Sequence, residues 1–266
     1  MMVVKIALLQ PNPQPDDLES NIEAALELIK EASDSGAQLG ILPEMWCRSY
    51  IDSLAAWSSQ RIDPLKRWSA ACKKEAVASI GSLPALLPNG QRTNRLYVID
   101  ANGTVACQYD KMHLFSHMNE DKRYTQGERV VIHETDGLRF GLSICYDLRF
   151  PELYRAQRQA NADVLVCVAQ WPTARVNHWK TLLRARAIEN QCYMVGVNRC
   201  GTVADAKQTT AFPGASCVID PWGDEVKAMD DQVGCCVATI DAEVIAETRN
   251  RLKVWQDRNP NLISER

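Results

Sequence analysis

The sequence predicts an α/β protein in which two mixed β-sheets pack face to face with helices outside, a four-layer αββα sandwich. Two observations predict it. Strand-like and helix-like patterns alternate along the whole chain, and several strand pairs are joined by hairpin turns, so the strands cannot all run parallel. A third observation keeps the sandwich in one piece. No shift in composition, low-complexity segment or internal repeat divides the 266 residues, so residues 1–266 are expected to form a single domain. A hydrophobic content of 46% is ample for its core.

The elements follow in order. Val3 to Gln10 is strand-like. Asp16 and Asp17 start a helix whose apolar residues Leu18, Ile22, Ala25, Leu26 and Ile29 fall at three- and four-residue spacing, and Gly36 ends it. Ala37 to Leu42 is a short strand that stops at Pro43-Glu44. Leu65 to Ala78 reads as a helix and Ser79 to Leu87 as a buried strand. Leu96 to Asp100 and Thr104 to Gln108 flank the turn signal Ala101-Asn-Gly103. Ser116 to Arg129 is polar and irregular, a surface loop. Val130 to His133 and Leu138 to Ile144 pair around Asp136-Gly137. Glu152 to Asn161 is a helix, Val164 to Val168 a buried strand, and Ala174 to Gln191 a long helix. Tyr193 to Asn198, Ala215 to Ile219 and Cys235 to Ile240 are strands, and Asp241 to Asn250 is the last helix.

Composition removes several function classes. Net charge is −3 and the pI is near 5.9, so there is no basic footprint for nucleic acid. No apolar run approaches a membrane span. The N-terminal stretch lacks a basic region and a small-residue cleavage site, so it is not read as a signal peptide. The 10 cysteines are scattered, mostly in apolar runs, with no C-x-x-C spacing. That pattern predicts reduced thiols, a cytoplasmic protein and no metal site.

Three side chains occupy equivalent places. Glu44 ends the second strand, Lys111 follows a hairpin strand, and Cys145 stands at a strand-to-helix corner. Sites in sheet-based α/β folds gather at strand ends. A carboxylate there can take the thiol proton, the sulfur can attack a carbonyl carbon, and the ammonium can stabilise charge developing on oxygen. Backbone N–H groups at the corner favour negative charge, so a thiol there can be held as thiolate, and a nearby base or cation is needed to raise the few per cent ionised at neutral pH. The competing reading of Cys145 alone is a buried structural cysteine.

Leu42-Pro-Glu44, Tyr109-Asp-Lys-Met-His-Leu114 and Ser143-Ile-Cys-Tyr-Asp-Leu-Arg-Phe-Pro-Glu-Leu153 together resemble the three signature segments of the nitrilase superfamily of carbon–nitrogen hydrolases. The resemblance runs from Val3 to about Leu262 and implies the same αββα sandwich. It implies Glu44 as general base, Lys111 as electrostatic stabiliser and Cys145 as nucleophile. The oxyanion hole would use Lys111 and the backbone N–H of Tyr146. Glu120 matches the second glutamate often found in the family, and would hold Lys111 and position substrate or water. No metal or organic cofactor is implied. Relatives of this kind commonly pair through exposed helices, so a homodimer or higher homo-oligomer is expected.

The segment from Trp171 to Gln191, with Ser216 to Gly223 and Val254 to Arg258, resembles the omega-amidase branch, which cleaves the terminal amide of 2-oxo acids such as 2-oxoglutaramate. Gln170 departs from it, since an Asn is often found there. The carboxylate of such a substrate calls for a cation, and Arg175 is the candidate clamp. Trp171 and Trp46 are candidate pocket walls, although core packing explains either. Arg186 and Glu189, one helical turn apart, read as a structural ion pair; His113 and His178 read as packing residues. Two other readings stay open: an N-carbamoyl-amide or nitrile hydrolase with the same groups, and a non-catalytic scaffold. A glutaminase feeding ammonia to a separate subunit is a further alternative.

Overall fold

The computed structural model describes residues 2–48, 62–204 and 209–259. The first sheet contains β1 (Val3–Gln10), β2 (Leu39–Ile41), β3 (Ala78–Leu86), β4 (Arg92–Ile99), β5 (Val105–Asp110) and, from the far end of the chain, β14 (Gly234–Asp241). Their spatial order is β14-β1-β2-β3-β4-β5. The second sheet contains β6 (Ile132–Thr135), β7 (Leu138–Ile144), β8 (Val164–Ala169), β9 (Tyr193–Asn198), β12 (Cys217–Ile219) and β13 (Glu225–Ala228), in the order β13-β12-β9-β8-β7-β6. Both sheets are mixed. β1, β2 and β3 run parallel, as do β7, β8 and β9, and the outer strands are antiparallel.

Side-chain alternation along β1 explains the layering. Val4, Ile6 and Leu8 point between the sheets, where they meet Phe140, Leu142 and Ile144 of β7 and Val164, Val166 and Val168 of β8 in one core. Ala7 and Leu9 point outward into a second core under α1 (Leu18–Asp34) and α2 (Pro64–Glu75). On the other side, Leu165 and Cys167 of β8 pack under α3 (Pro151–Gln159) and α4 (Val176–Asn190). Strands buried on both faces read as continuous apolar runs, which is why β8, wholly buried, stands out in the sequence. The predicted αββα sandwich is the observed one.

The helix boundaries have local causes. Asp17, Asp63 and Asp241 each cap a helix, α1, α2 and α5 (Ala242–Arg251), by accepting a backbone N–H with the side chain. Pro64 and Pro151 occupy the first helical turn of α2 and α3, where a missing N–H costs nothing. A short helix, α6 (Val254–Asp257), follows α5.

Some elements differ from expectation. The hairpin of β10 (Cys200–Ala204) and β11 (Thr209–Pro213), and the strand β13, were not anticipated. All four residues of β13 are exposed, so it carries no buried stripe to read. Cys145 does not lead directly into an α-helix. A 3₁₀ turn, Cys145–Arg149, intervenes before α3 begins at Pro151. The long helix from Ala174 is likewise a 3₁₀ turn, Thr173–Arg175, followed by α4.

Candidate active site

The ends of β2, β5, β7 and β8 bring the chemistry-bearing residues to one cleft of about 650 Å³, measured out to its mouth. Pro43 ends the β2 pairing and Met45 takes a left-handed backbone (φ 48°), which turns Glu44 inward. Lys111 extends the β4–β5 ladder by one bond, its N–H donating to the Asn94 carbonyl at 3.0 Å. The loop beyond folds around Glu120, whose Oε2 accepts the Phe115 N–H at 2.7 Å.

Lys111 is only 2% exposed and lies between the two acids. Its Nζ donates to Glu44 Oε1 at 2.8 Å and faces both Glu120 oxygens at 2.9 Å. Burial alone would pull the lysine down. The charges of Glu120, Glu44 and the Cys145 sulfur overcome that and hold it well above the usual lysine range. Lys111 is therefore a fixed ammonium.

Cys145 follows β7 with φ 47°, an uncommon conformation for a residue with a Cβ, costing about 1–3 kcal/mol. Asp147 holds the turn in place. Its fully buried carboxylate accepts the Ile144 N–H at 2.9 Å, the Tyr109 hydroxyl at 2.7 Å and the His113 N–H at 2.9 Å. The cysteine turn is thus tied to the chain that carries Lys111. Burial pushes the Cys145 thiol well above the ordinary range, and Glu44 pushes it further; Lys111 opposes both without prevailing. Of the two states open to a sulfur at this corner, these surroundings favour the neutral thiol. The helix begins six residues later at Pro151, and the cleft floor carries two carboxylates against one ammonium, so neither a helix N-terminus nor an excess of positive charge holds the sulfur ionised. Tyr146 follows in the first turn of the 3₁₀ segment, where a helix leaves its own N–H groups unbonded.

Gln170, the residue that departs from the branch pattern, pins the turn of Glu44. Its backbone N–H donates to Glu44 Oε2 at 3.0 Å, and its side-chain amide donates to the carbonyls of Glu44 at 3.0 Å and Arg48 at 2.8 Å. Trp171 lines the cleft, held through both backbone groups by the Asn198 amide at 2.7 and 3.0 Å. Arg175 also lines it, with its guanidinium over the Phe115 ring.

Trp46 does not belong to the cleft. It is fully buried on the helix side of the first sheet, edge-on to Trp68 at 5.5 Å between ring centroids. The tight turn at Met45 sends Glu44 and Trp46 to different places, and Trp46 is a core residue. Arg186 and Glu189 form the expected ion pair at 3.0 Å, and Arg186 also donates to the Leu148 carbonyl at 2.8 Å, which braces the cysteine turn. His113 stacks on Phe150 and bonds Asp147 through its ring.

Among the cleft residues that the sequence does not single out, such as Met118, Arg123 and Tyr124, Arg149 and Asn94 bear most on the chemistry. Arg149, four residues after the cysteine, lies over the Trp171 ring at 4.7 Å. Asn94 is 1% exposed and donates through Nδ2 to Glu44 Oε1 at 2.8 Å. Arg149 lies inside the third signature segment, beside residues whose chemistry is the more obvious. Asn94 sits mid-strand, and nothing in the pattern Arg92-Thr-Asn-Arg95 says which polar side chain turns inward.

On an αββα sandwich, a thiol, an ammonium and two carboxylates enclosed in one cleft define the class of cysteine-based amide hydrolases. Comparison with known proteins agrees. The profile of the Carbon-nitrogen hydrolase family matches residues 5–250. The 2-oxoglutaramate amidase of Bacillus subtilis (strain 168) is 35% identical over 241 residues, covering 89% of this chain and 90% of that protein. The deaminated glutathione amidase of Rattus norvegicus is 31% identical over 274 residues, covering 97% and 83%. Among solved structures, XC1258 from Xanthomonas campestris, a CN-hydrolase superfamily protein with an arsenic adduct in its active site, superposes with a TM-score of 0.89 at 30% identity over 99% of this chain and 100% of that one. The chain belongs to the carbon–nitrogen hydrolase family.

Proposed function

We propose that the protein is an omega-amidase: it cleaves the terminal carboxamide of a small 2-oxo acid such as 2-oxoglutaramate, releasing ammonia. The observation that carries this reading is the enclosure of Cys145, Glu44, Lys111 and Glu120 in a cleft that Arg149 and Arg175 also line. The relative that acts on 2-oxoglutaramate supports the substrate class.

In the proposed mechanism Glu44 takes the thiol proton as Cys145 Sγ bonds to the amide carbon. The carbonyl oxygen becomes an oxyanion beside Lys111 and the Tyr146 N–H. An ammonium has three N–H donors. One serves Glu44, one can fork to the two oxygens of Glu120, and one remains for the oxyanion. Glu44 then passes its proton to the nitrogen, the C–N bond breaks, and ammonia leaves a thioester on Cys145. Glu44 next removes a proton from water, which attacks the thioester; the C–S bond breaks and the sulfur recovers the proton. Glu120 acts through Lys111 and also faces the incoming substrate. A neutral resting thiol suits this scheme, because the base and the proton are both present before substrate arrives.

Trp171 would wall the pocket, and Arg149 and Arg175 would bind the distant carboxylate. Among the described residues neither guanidinium forms an ion pair, so both are available to a ligand anion. Arg149→Met and Arg175→Met are expected to raise KM for 2-oxoglutaramate by roughly tenfold or more, since a charge-assisted bond contributes about 1.5–3 kcal/mol. Turnover of an uncharged amide such as propionamide should change little. Ammonia release measured on 2-oxoglutaramate, deaminated glutathione, propionamide, an N-carbamoyl compound and a nitrile tests the assignment. Highest kcat/KM on the 2-oxo acid amide is expected; preference for the nitrile or the N-carbamoyl compound would contradict it.

The remaining parts of the reading are a single carbon–nitrogen hydrolase domain over residues 1–266, a cytoplasmic setting, and a homodimer or higher homo-oligomer needing no metal or organic cofactor. Ten free thiols support a reducing compartment, and exposed Ile188 and Trp222 support self-association. Among the described residues no helix is long and apolar enough to cross a membrane.

A further inference from the structure

Glu44 has two oxygens, and its hydrogen-bond partners treat them differently. Oε1 accepts Lys111 Nζ at 2.8 Å and Asn94 Nδ2 at 2.8 Å. Oε2 accepts the Gln170 backbone N–H at 3.0 Å. An ionised carboxylate offers about two acceptor sites on each oxygen. Oε1 is therefore filled, and Oε2 has one site left.

We infer that Glu44 Oε2 is the atom that takes the thiol proton, and that Asn94 is the positioning residue that reserves it for this task by occupying Oε1. This rests on the reading of Glu44 as the base and adds which atom acts and what directs it.

Three further features of Asn94 fit this role. Its Nδ2 also faces Glu120 Oε1 at 3.5 Å, so the amide bridges the same two carboxylate oxygens that Lys111 Nζ joins. Its backbone carbonyl accepts the Lys111 N–H at 3.0 Å, so one residue of β4 sets the place of the acid and the amine together. Its Oδ1 is buried with no hydrogen-bond partner among the described residues. An unsatisfied buried acceptor costs about 1–3 kcal/mol. Turning the amide over would set that oxygen against two carboxylates, so the orientation is fixed by the acids, and the orphan atom is its consequence. A residue chosen only for stability in this strand would be apolar, like its neighbours Leu96 and Val98.

The test is the pH dependence of kcat/KM, whose limbs report the ionisations of the free enzyme. Asn94→Leu keeps the size and removes the donor. Losing a hydrogen bond to the charged form makes a carboxylate easier to protonate. The acidic limb should therefore move to higher pH, by roughly half a unit to one unit, with kcat lowered about 10- to 100-fold and KM changed less than about threefold. Asn94→Asp keeps the shape and puts a third carboxylate beside Glu44 and Glu120, so its limb should move further in the same direction. If Asn94→Leu does not fold, Asn94→Asp carries the test alone. An acidic limb at the wild-type pH in the folded variants, with activity lost only in proportion to folded protein, would overturn the inference. Glu44→Gln separates this from failure of the underlying reading. Full activity in Glu44→Gln would remove Glu44 as base altogether, whereas an inactive Glu44→Gln with an unshifted Asn94 limb removes only the role of Asn94.

Discussion

Lys111→Met should cost the protein activity and stability at once. Activity falls because the oxyanion loses its ammonium. Loss of one such donor is worth about 10²–10³ in kcat, and here the same ammonium also orients Glu44 and Glu120. Stability falls because two carboxylates remain buried without their cation, with an expected loss of about 3–5 kcal/mol at neutral pH. The loss should depend on pH in a stated direction. Without Lys111 the two acids face each other in low dielectric, which favours their protonated forms over the charged ones. A group raised on folding contributes stability below its unfolded pKa and loses it as pH rises through the folded one. The variant should therefore be closest to wild type near pH 5 and furthest from it near pH 8. Urea unfolding at the two pH values, read against wild type, measures this. Adding Glu120→Gln to Lys111→Met should recover part of the stability and none of the activity. A deficit that does not change with pH would mean that Lys111 is not the counter-charge for these acids.

The largest loss of turnover is expected in Cys145→Ala, at least about 10⁴-fold in kcat, since removing a covalent nucleophile leaves only binding and the oxyanion groups. The fold should survive. Alanine retains the Cβ that the left-handed backbone at residue 145 already accommodates, and the turn is held by Asp147 and Arg186 rather than by sulfur. Circular dichroism and the unfolding midpoint should match wild type to within about 1 kcal/mol, as for a substitution that opens only a small void beside the cleft. Substrate should still bind, because Arg149, Arg175 and Trp171 are untouched. Isothermal titration with 2-oxoglutaramate gives that affinity without hydrolysis. Residual turnover near the wild-type rate would assign the chemistry to another residue.

How much of this was legible beforehand depends on what each residue does for the chain. β8 and β9 could be read because burial on both faces writes itself as an unbroken apolar run. Strand β13, exposed throughout, writes nothing. Glu44, Lys111 and Cys145 could be read because each follows a strand within a recognisable segment, and strand ends of the two packed sheets meet at one cleft. Trp46 misled because sequence distance says nothing about the face a side chain takes after a left-handed residue, here Met45. The protonation state of Cys145 was open in the sequence for a related reason. A strand-end cysteine near a helix suggests a thiolate, and only three dimensions reveal that burial and Glu44 outweigh Lys111. Asn94 and Gln170 act through hydrogen bonds to residues 50 and 126 positions away, a separation that local pattern does not encode.

Covalent capture of the acyl group puts the account to its plainest trial. The enzyme is mixed with 2-oxoglutaramate, quenched in acid during turnover, digested and weighed by mass spectrometry. The peptide containing Cys145 should gain the mass of the substrate minus ammonia, labile to hydroxylamine as a thioester is. An adduct of that mass on any other residue, or turnover with none on Cys145 at any quench time and with a different residue required for activity, would contradict it.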